Sequence, residues 1–304
     1  MFHRNERHYL LTAALAAVML ITDSARVDAQ TASDTQAAPP LPSTQATPQK
    51  GNNGMLSFSS SVDVLSTYLF RGIPQDDRGL IAWPAVDVGV GLFEGDGVLK
   101  RVQMNVGLWN SLHSGPTGLD GPSGKMWYEA DFYSSLALGL AGGFTLGTIY
   151  TAYMSPNSSF GTVKELAVTL NIDDSARRLP LAPYGLIAFE LDGQADGGSG
   201  AGTYMELGVK PTLPVSTELF ALALPVKVGL SLDDYYEGPN GSRTFGYVDA
   251  GVVATVPLSG VPDAFGAWSM RGGVSVVSPA GSLRTLNGGR RARIVGLLGI
   301  ALSY

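Results

Sequence analysis

The chain has 304 residues, of which 45% are hydrophobic and 15% charged, with a formal net charge of −6 and no cysteine. The negative balance argues against a nucleic-acid partner, and the lack of cysteine excludes a disulfide scaffold and a cysteine-anchored lipoprotein. Mean hydropathy is +0.14, yet after the N-terminal segment no stretch stays apolar over the roughly 18 residues of a membrane-spanning helix. A closed β-barrel is the other structure that satisfies all backbone hydrogen bonds inside a bilayer.

Residues 1–29 have the features of a cleavable signal peptide. Arg4 and Arg7 provide a basic start, and an apolar run of about 13 residues follows over 9–21. A small-x-small site at residues 27–29 then places cleavage before Gln30. We therefore expect export from the cytoplasm.

Residues 30–54 are rich in Gln, Ala, Pro, Thr and Ser and contain almost no large apolar side chains. Such a composition cannot bury enough apolar surface to fold. We interpret the segment as a disordered periplasmic tether, most simply a spacer.

Residues 55–304 predict an all-β domain, a transmembrane antiparallel β-barrel of about twelve strands, with ten or fourteen as alternatives. Apolar residues alternate with polar or glycine residues, as in Val86, Val88 and Val90 against Asp87 and Gly89. This pattern is typical of strands with lipid on one face and a polar lumen on the other. The predicted strands lie near 55–70, 81–93, 98–109, 126–140, 144–154, 163–172, 184–191, 203–213, 219–232, 244–258, 267–277 and 292–304.

The connections between these segments alternate in length, as expected when both chain ends face the periplasm. Tight turns rich in Gly, Asp or Pro occupy 94–97, 141–143 and 214–217. Longer polar loops follow the odd-numbered strands. The connection at 173–183 is too long for its side and is the exception to the pattern.

The last strand ends in Tyr304, and every second residue back to Ile294 is apolar or small. It resembles the closing strand of bacterial outer-membrane barrels, whose aromatic terminus is read by the assembly machinery. We therefore predict Tyr304 as an assembly signal, with an ordinary edge strand as the alternative. The expected location is the outer membrane of a Gram-negative cell, with its lipids, lipopolysaccharide and the assembly machinery as partners.

Aromatic residues near the strand ends predict interfacial girdles. Trp83, Trp109 and Trp127 lie at the predicted outer ends, and Trp268 lies at a predicted inner end.

The alternation also predicts which charged residues line the lumen. The acidic candidates are Asp63, Asp87, Glu129, Asp131, Glu165, Glu190, Glu206 and Asp249, and the basic candidates are Arg71, Arg101, Lys210, Lys227, Arg271 and Arg293. Mixed signs permit two interpretations. The charges line a narrow, passive, porin-like channel for small polar solutes, or they pair across the lumen and plug it. A plugged barrel would be a structural or interaction protein that binds through its long outer loops.

Nothing in the sequence predicts an enzyme, a cofactor or a metal site. The one histidine outside the signal peptide, His113, falls in a predicted loop and is expected to be solvated. Acidic pairs such as Asp76-Asp77 and Asp233-Asp234 lack the ligand spacing of a known calcium loop.

The segment Ser66-Thr67-Tyr68-Leu69-Phe70-Arg71-Gly72-Ile73-Pro74-Gln75 resembles the N-terminal signature of the TorF-type (Gcw-type) outer-membrane porin family. Gly107-Leu108-Trp109-Asn110 resembles the end of that family's third strand. Pro74 stands where a small polar residue is usual. The resemblance implies an outer-membrane barrel more than any substrate. It places Arg71 at the end of an inward-facing row, where it either pairs with a lumen carboxylate or selects solutes.

Overall fold

The computed structural model describes residues 55–195, 198, 200–213, 215, 219–237 and 243–304. The predicted signal peptide at 1–29 and the predicted tether at 30–54 lie outside the described residues. Within the described part of the chain, none of the helices has the length and apolarity needed to cross a membrane.

The chain forms a closed antiparallel barrel with almost no helix. The strands are β1 (Leu56–Leu65), β2 (Tyr68–Phe70), β3 (Ile73–Asp76), β4 (Ile81–Glu94), β5 (Leu99–His113), β6 (Trp127–Leu140), β7 (Phe144–Met154), β8 (Val163–Ile172), β9 (Tyr184–Asp192), β10 (Thr203–Val209), β11 (Ala221–Ala223), β12 (Val226–Asp233), β13 (Phe245–Pro257), β14 (Ala267–Pro279) and β15 (Arg293–Ser303). One short α-helix, α1 (Gly281–Leu286), lies between β14 and β15.

Twelve strand positions make up the wall. β11 and β12 both pair with β13 and occupy one position, separated at Leu224–Pro225 because proline cannot donate to the ladder. The pairing of β1 with β15 and of β13 with β14 completes the ring. The predicted fold of a twelve-stranded antiparallel barrel is therefore confirmed.

The barrel has two ends. At the terminal end, where β1 begins and β15 finishes, the connections are 95–98, 141–143, 173–183, 210–220 and 258–266. At the loop end the connections are 66–80, 114–126, 155–162, 193–202, 234–244 and 280–292. β10 ends at Val209, but antiparallel pairing resumes at Thr212, which bridges to Ala223, and the Leu213 N–H donates to the Leu222 carbonyl at 2.8 Å. Of the turn predicted at 214–217, residues 214, 216 and 217 lie outside the described residues. Lys210, placed by the sequence on β10, follows it instead.

The period-2 pattern places apolar side chains outside and polar side chains inside. On β4, Val86, Val88 and Val90 are exposed outward, while Asp87 contacts other luminal side chains. An outward band of this kind is the surface that membrane barrels present to lipid.

The first predicted strand is wrong beyond Leu65. The sequence alternates through Phe70, which led to one long strand with Tyr68 and Phe70 facing outward. Instead the chain turns into the lumen, and β2 and β3 form a separate hairpin. Arg71 (φ 48°) and Gly72 (φ 81°) both adopt the left-handed region, which is the requirement of a two-residue hairpin turn. The apolar residues before this turn therefore pack inside the barrel.

The prediction of interfacial girdles is also wrong for two of the tryptophans. Trp83 and Trp109 are buried inside the barrel, whereas Trp127 is exposed. Trp83 and Asp87 lie on the same face of β4, because they are four residues apart. The alternation along the strand therefore predicts the inward position of Trp83 better than its proximity to the strand end does. Tyr304 is exposed and exchanges backbone hydrogen bonds with Phe58 at 2.7 and 2.8 Å; its role as an assembly signal stays a prediction.

Candidate functional site: the barrel lumen

A hairpin formed by residues 68–76, here called the luminal hairpin, crosses the loop half of the lumen. Tyr68 and Leu69 are completely buried, and Phe70 and Ile73 are nearly so. A wall strand cannot bury consecutive side chains in this way, because successive side chains point to opposite faces. The hairpin is thus enclosed by the barrel.

Arg71, at the turn of the hairpin, is held by a carboxylate on the barrel wall. Its two terminal nitrogens donate to Glu165 on β8 at 2.5 and 2.7 Å, and one also donates to the Tyr235 hydroxyl at 2.9 Å. The guanidinium lies 4.3 Å from the centre of the Tyr204 ring. Burial alone would lower the pKa of Arg71, but Glu165 holds that pKa well above its usual range. The tip therefore carries a charged, bidentate ion pair.

The backbone of the turn is fixed from the other side of the lumen. The Tyr236 hydroxyl donates to the Arg71 carbonyl at 2.9 Å, and Asn287 Nδ2 donates to the Gly72 carbonyl at 2.9 Å. A Cβ atom on Gly72 would lie 2.9 Å from Tyr247 Cδ1 and 3.0 Å from Leu283 Cδ1. The tip therefore contacts β13 and α1 in addition to β8.

Tyr68, on the first arm of the hairpin, packs against the wall formed by β4, β5 and β6. Its ring makes edge contacts with Trp83, Trp109 and Tyr128 at centroid distances of 5.2 to 6.2 Å. Its hydroxyl donates to Glu129 at 2.6 Å. Burial and the nearby Glu129 raise the pKa of Tyr68 well above its usual range, so the phenol stays protonated and remains a donor.

Asp76, on the second arm, joins a buried hydrogen-bond chain. It accepts from the Thr117 hydroxyl at 2.5 Å, Thr117 contacts His113 Nδ1 at 2.5 Å, and His113 Nε2 contacts Ser111 Oγ at 2.7 Å. His113 is completely buried at the end of β5, so its prediction as a solvated loop residue is wrong.

The hydrogen-bond chain contains the residue types of a catalytic triad, but a substrate could not reach it. Ser111 is also completely buried, and it accepts a hydrogen bond from Trp83 Nε1 at 3.0 Å. A nucleophile must reach its substrate. We therefore interpret this hydrogen-bond chain as a structural link between the luminal hairpin and the barrel wall.

Two predicted luminal carboxyl groups lie side by side beneath the hairpin. Glu129 and Asp131 are buried on the same face of β6, two residues apart, and Glu129 accepts the hydrogen bond from the Tyr68 hydroxyl.

Other predicted luminal charges are held by partners on the wall. Asp63 on β1 forms a two-point ion pair with Arg271 on β14. Glu206 on β10 accepts hydrogen bonds from three tyrosine hydroxyls and lies 3.7 Å from the Lys227 ammonium. Asp87 accepts from Asn105 and from Tyr133.

The remaining candidates differ in location. Asp249 on β13 is buried, Arg101 on β5 is half-buried near the terminal end, and Lys210 is half-buried beyond β10. The backbone N–H of Lys210 donates to the Leu181 carbonyl at 2.7 Å. Lys210 thus belongs to the rim of the terminal end rather than to the lumen wall.

The two halves of the lumen differ in access. In the loop half, Ile81, Ser111, Tyr235, Tyr247 and Leu283 have essentially no exposed surface. In the terminal half, burial is less complete. Gln103 and Thr169 are still buried there, but Ser59 is exposed, and Ser57, Asp87, Arg101 and Asn171 are half-buried. Solvent therefore reaches the lumen from the terminal end.

Sequence reasoning missed the tyrosines that enclose the hairpin tip. Tyr235 and Tyr236 lie in a loop outside the alternating strands, so no parity rule applied to them. The hairpin itself had one local sign, Gly72, because two-residue hairpin turns favour glycine in the left-handed region. Among the described residues, no group of three or more His, Cys, Asp or Glu side chains could hold a metal ion.

Comparison with protein-family models and with curated proteins gives no match, so the TorF-type resemblance stays a prediction. The chain is similar in architecture to the NanC porin (13% identity, TM-score 0.41, covering 81% of this chain and 98% of that one). It is also similar to an outer-membrane channel from Pseudomonas putida F1 (9%, 0.42, 86% and 99%). A third is the translocator domain of the autotransporter NalP from Neisseria meningitidis (13%, 0.40, 84% and 90%). With similarities this low, function must be argued from the chain's own geometry.

Proposed function

We propose that the protein is an outer-membrane channel for small polar solutes, and that the luminal hairpin is its gate, closed in the conformation described above. The outward apolar band supports a membrane location. The signal peptide predicted at residues 1–29 would direct the chain across the inner membrane. In bacterial outer-membrane barrels the short turns face the periplasm, so the loop end faces outward.

The observation that carries the proposal is the difference in access between the two halves of the lumen. Several luminal side chains near the terminal end, Ser59 among them, are exposed or half-buried, whereas Tyr68 and Tyr247 at the level of the hairpin have no exposed surface. The hairpin is part of a connection, not of the wall, since β1 pairs directly with β4 from Leu65↔Ile81 onward. It can therefore move without breaking a wall ladder.

The wall of the terminal half supports a polar but weakly selective path. Ser59, Gln103 and Asn105 are neutral, Asp63 is paired with Arg271, and Asp87 accepts hydrogen bonds from the neutral Asn105 and Tyr133. A wall with so few charges exerts only a small net field on a passing solute. Small polar solutes are therefore the class that this channel would pass. We propose neither a cofactor nor a catalytic role.

A permanently plugged barrel is the second candidate. The observation in its favour is the packing of the hairpin: Tyr68 and Leu69 have no exposed surface, and aromatic rings surround Tyr68. Displacing such a cluster exposes apolar area and costs several kcal/mol by the usual conversion of about 25 cal/mol per Å². In that case the outer loops would act as a binding surface.

Conductance of the full chain in a planar bilayer distinguishes the two. The channel should show discrete openings, and Arg71→Ala should open more often because it leaves Glu165 buried without its ion-pair partner. Arg177→Ala, in an exposed turn at the terminal end, is the matched control and should behave like the unmodified protein. Silence of both the unmodified protein and Arg71→Ala, with folding verified by heat-dependent gel mobility, would favour the plugged barrel.

A further inference from the structure

Six arginines, five from three connections of the loop end and one at the start of β15, gather in one sector of the rim, although the chain as a whole is acidic. The sector lies above β13, β14 and β15 and beside the start of β4. We name it the arginine sector; its members are Arg78, Arg243, Arg284, Arg290, Arg291 and Arg293.

Contacts between the connections hold the sector together. Asp77 accepts from Arg293 at 2.6 Å and lies 3.8 Å from Arg290. A Cβ atom on Gly281 would lie 3.3 Å from Arg243 Cγ, so that arginine extends along the start of α1. Arg284 donates to the Pro279 carbonyl at 3.4 Å.

The sector has more positive charge than its carboxylate can neutralise. Asp77 is the carboxylate that forms ion pairs there among the described residues. Asp233 ends β12 and Asp234 begins the connection that contains Arg243, but both lie on the other side, where Asp233 is in register with Thr203. The Arg290 side chain is 61% exposed, and Arg78, Arg243, Arg284 and Arg291 are also exposed. A surface on which exposed charges of one sign predominate attracts ions of the opposite sign.

The position of the sector indicates which anion. Ile294, next to Arg293 on β15, is 69% exposed and apolar, and Leu286 and Phe245 are exposed at the same level. The sector therefore borders the apolar outward band, at the height of lipid headgroups. Basic clusters at such a level attract anionic lipids, at about 1 kcal/mol per residue, and guanidinium groups bind phosphate by two parallel hydrogen bonds.

We propose that the arginine sector binds the phosphate groups of the glycolipid of the outer leaflet, the lipid A portion of lipopolysaccharide. This inference rests on the outer-membrane location in the proposed function but not on conduction. It assigns one face of the barrel, from β13 to β15, as a fixed lipid contact.

The test is a titration of the detergent-purified full chain with labelled diphosphorylated lipid A. The variant is Arg284→Gln with Arg290→Gln and Arg291→Gln; Arg293 is left intact because it also secures Asp77. The matched control, Lys100→Gln with Arg177→Gln and Arg178→Gln, removes the same charge from exposed positions of the terminal end. We expect the variant to bind at least about tenfold more weakly and the control to change by less than about twofold.

Two further arms identify the source of the phosphate. Lipid A without phosphates should bind the unmodified protein as weakly as diphosphorylated lipid A binds the variant. Excess inorganic phosphate should not displace the lipid, whose acyl chains lie on the apolar band. Equal losses in variant and control, or displacement by inorganic phosphate, would overturn the proposal. Bilayer conductance of the same variant is expected to be unchanged, which separates failure of this inference from failure of the channel.

Discussion

The loop half and the terminal half of the lumen have the same wall but different contents. In both halves, strands alternate apolar and polar side chains. In the loop half, however, the space is occupied by the luminal hairpin and the aromatic rings around it, and Tyr68, Ser111 and Tyr247 are inaccessible. In the terminal half, short polar residues such as Ser59 border space that solvent reaches. The pattern of a barrel strand thus determines which residues face inward, whereas an inserted segment determines whether the lumen is open.

Removing the luminal hairpin should abolish the difference between the halves. Leu65 and Ile81 are partners in register, so residues 66–80 can be replaced by Asn-Gly, which forms a two-residue hairpin turn. We expect single-channel conductance to rise at least about tenfold, as it should in a barrel with an open lumen. Heat-dependent gel mobility should confirm an intact barrel. Unchanged conductance in the folded variant would mean that the lumen is closed elsewhere.

The alternation of apolar and polar residues predicts the wall strands but not the luminal hairpin. Alternation was sufficient for the wall: β7 and β8 have the predicted bounds, and Asp63, Glu129 and Arg271 are inside the barrel. It was not sufficient for the hairpin, because Tyr68 and Phe70 continue the alternation of β1 while belonging to a different element. Only the left-handed conformation at Arg71 and Gly72 separates the two elements, and apolar periodicity carries no information about it.

The partners of the predicted charges could not be derived either. Arg71 and Glu165 are far apart in sequence, and parity places Glu165 in the lumen without saying what it meets. The pairing depends on how deeply the hairpin reaches across the barrel. Barrel diameter and hairpin length together decide that depth, and neither can be read from residue spacing.

Gly72→Ala should weaken the attachment of the luminal hairpin in the loop half without affecting the terminal half. The substitution combines a left-handed backbone with a close approach to Tyr247, and we expect it to destabilise the hairpin by about 1–2 kcal/mol. Gly288→Ala is the matched control, because Gly288 also has a positive φ (65°) but nothing lies within 4 Å of its Cβ position. The frequency of channel openings measures the effect. Equal behaviour of the two variants would indicate that backbone conformation alone, and not contact with β13, matters at the tip.

Arg101→Glu should change the ion selectivity of the channel, because Arg101 lines the terminal half of the lumen. Arg101 is half-buried on the luminal side of β5 near the terminal end, so reversing its charge should favour cations over anions by a few-fold. Lys100→Glu makes the same charge change one residue away, on an exposed side chain that donates to the Asp96 carbonyl. Reversal potentials in a salt gradient should shift for Arg101→Glu and not for Lys100→Glu. Equal shifts would show that the effect arises at the rim rather than in the lumen.

Acid should slightly weaken the attachment of the luminal hairpin in the loop half. The hydrogen bond from Arg293 lowers the pKa of Asp77, which follows the hairpin directly. A lowered pKa in the folded state stabilises the fold above the unfolded pKa of about 4, and this contribution is lost as the pH falls through the folded value. Asp77 is partly exposed, so we expect less than about 1 kcal/mol. Melting temperatures measured towards acid pH should fall less steeply for Asp77→Asn than for the unmodified protein.

Thiol labelling tests the difference between the halves most directly, since the chain has no cysteine of its own. Ser59→Cys reports on the terminal half and Ser111→Cys on the loop half, and each is treated with a small charged methanethiosulfonate reagent after reconstitution. We expect Ser59→Cys to react at least about a hundredfold faster, because exchange at a fully buried site requires a rare opening. Replacement of residues 66–80 by Asn-Gly should bring the two rates together. Comparable rates with the hairpin present, or continued protection of Ser111→Cys after its removal, would contradict the account.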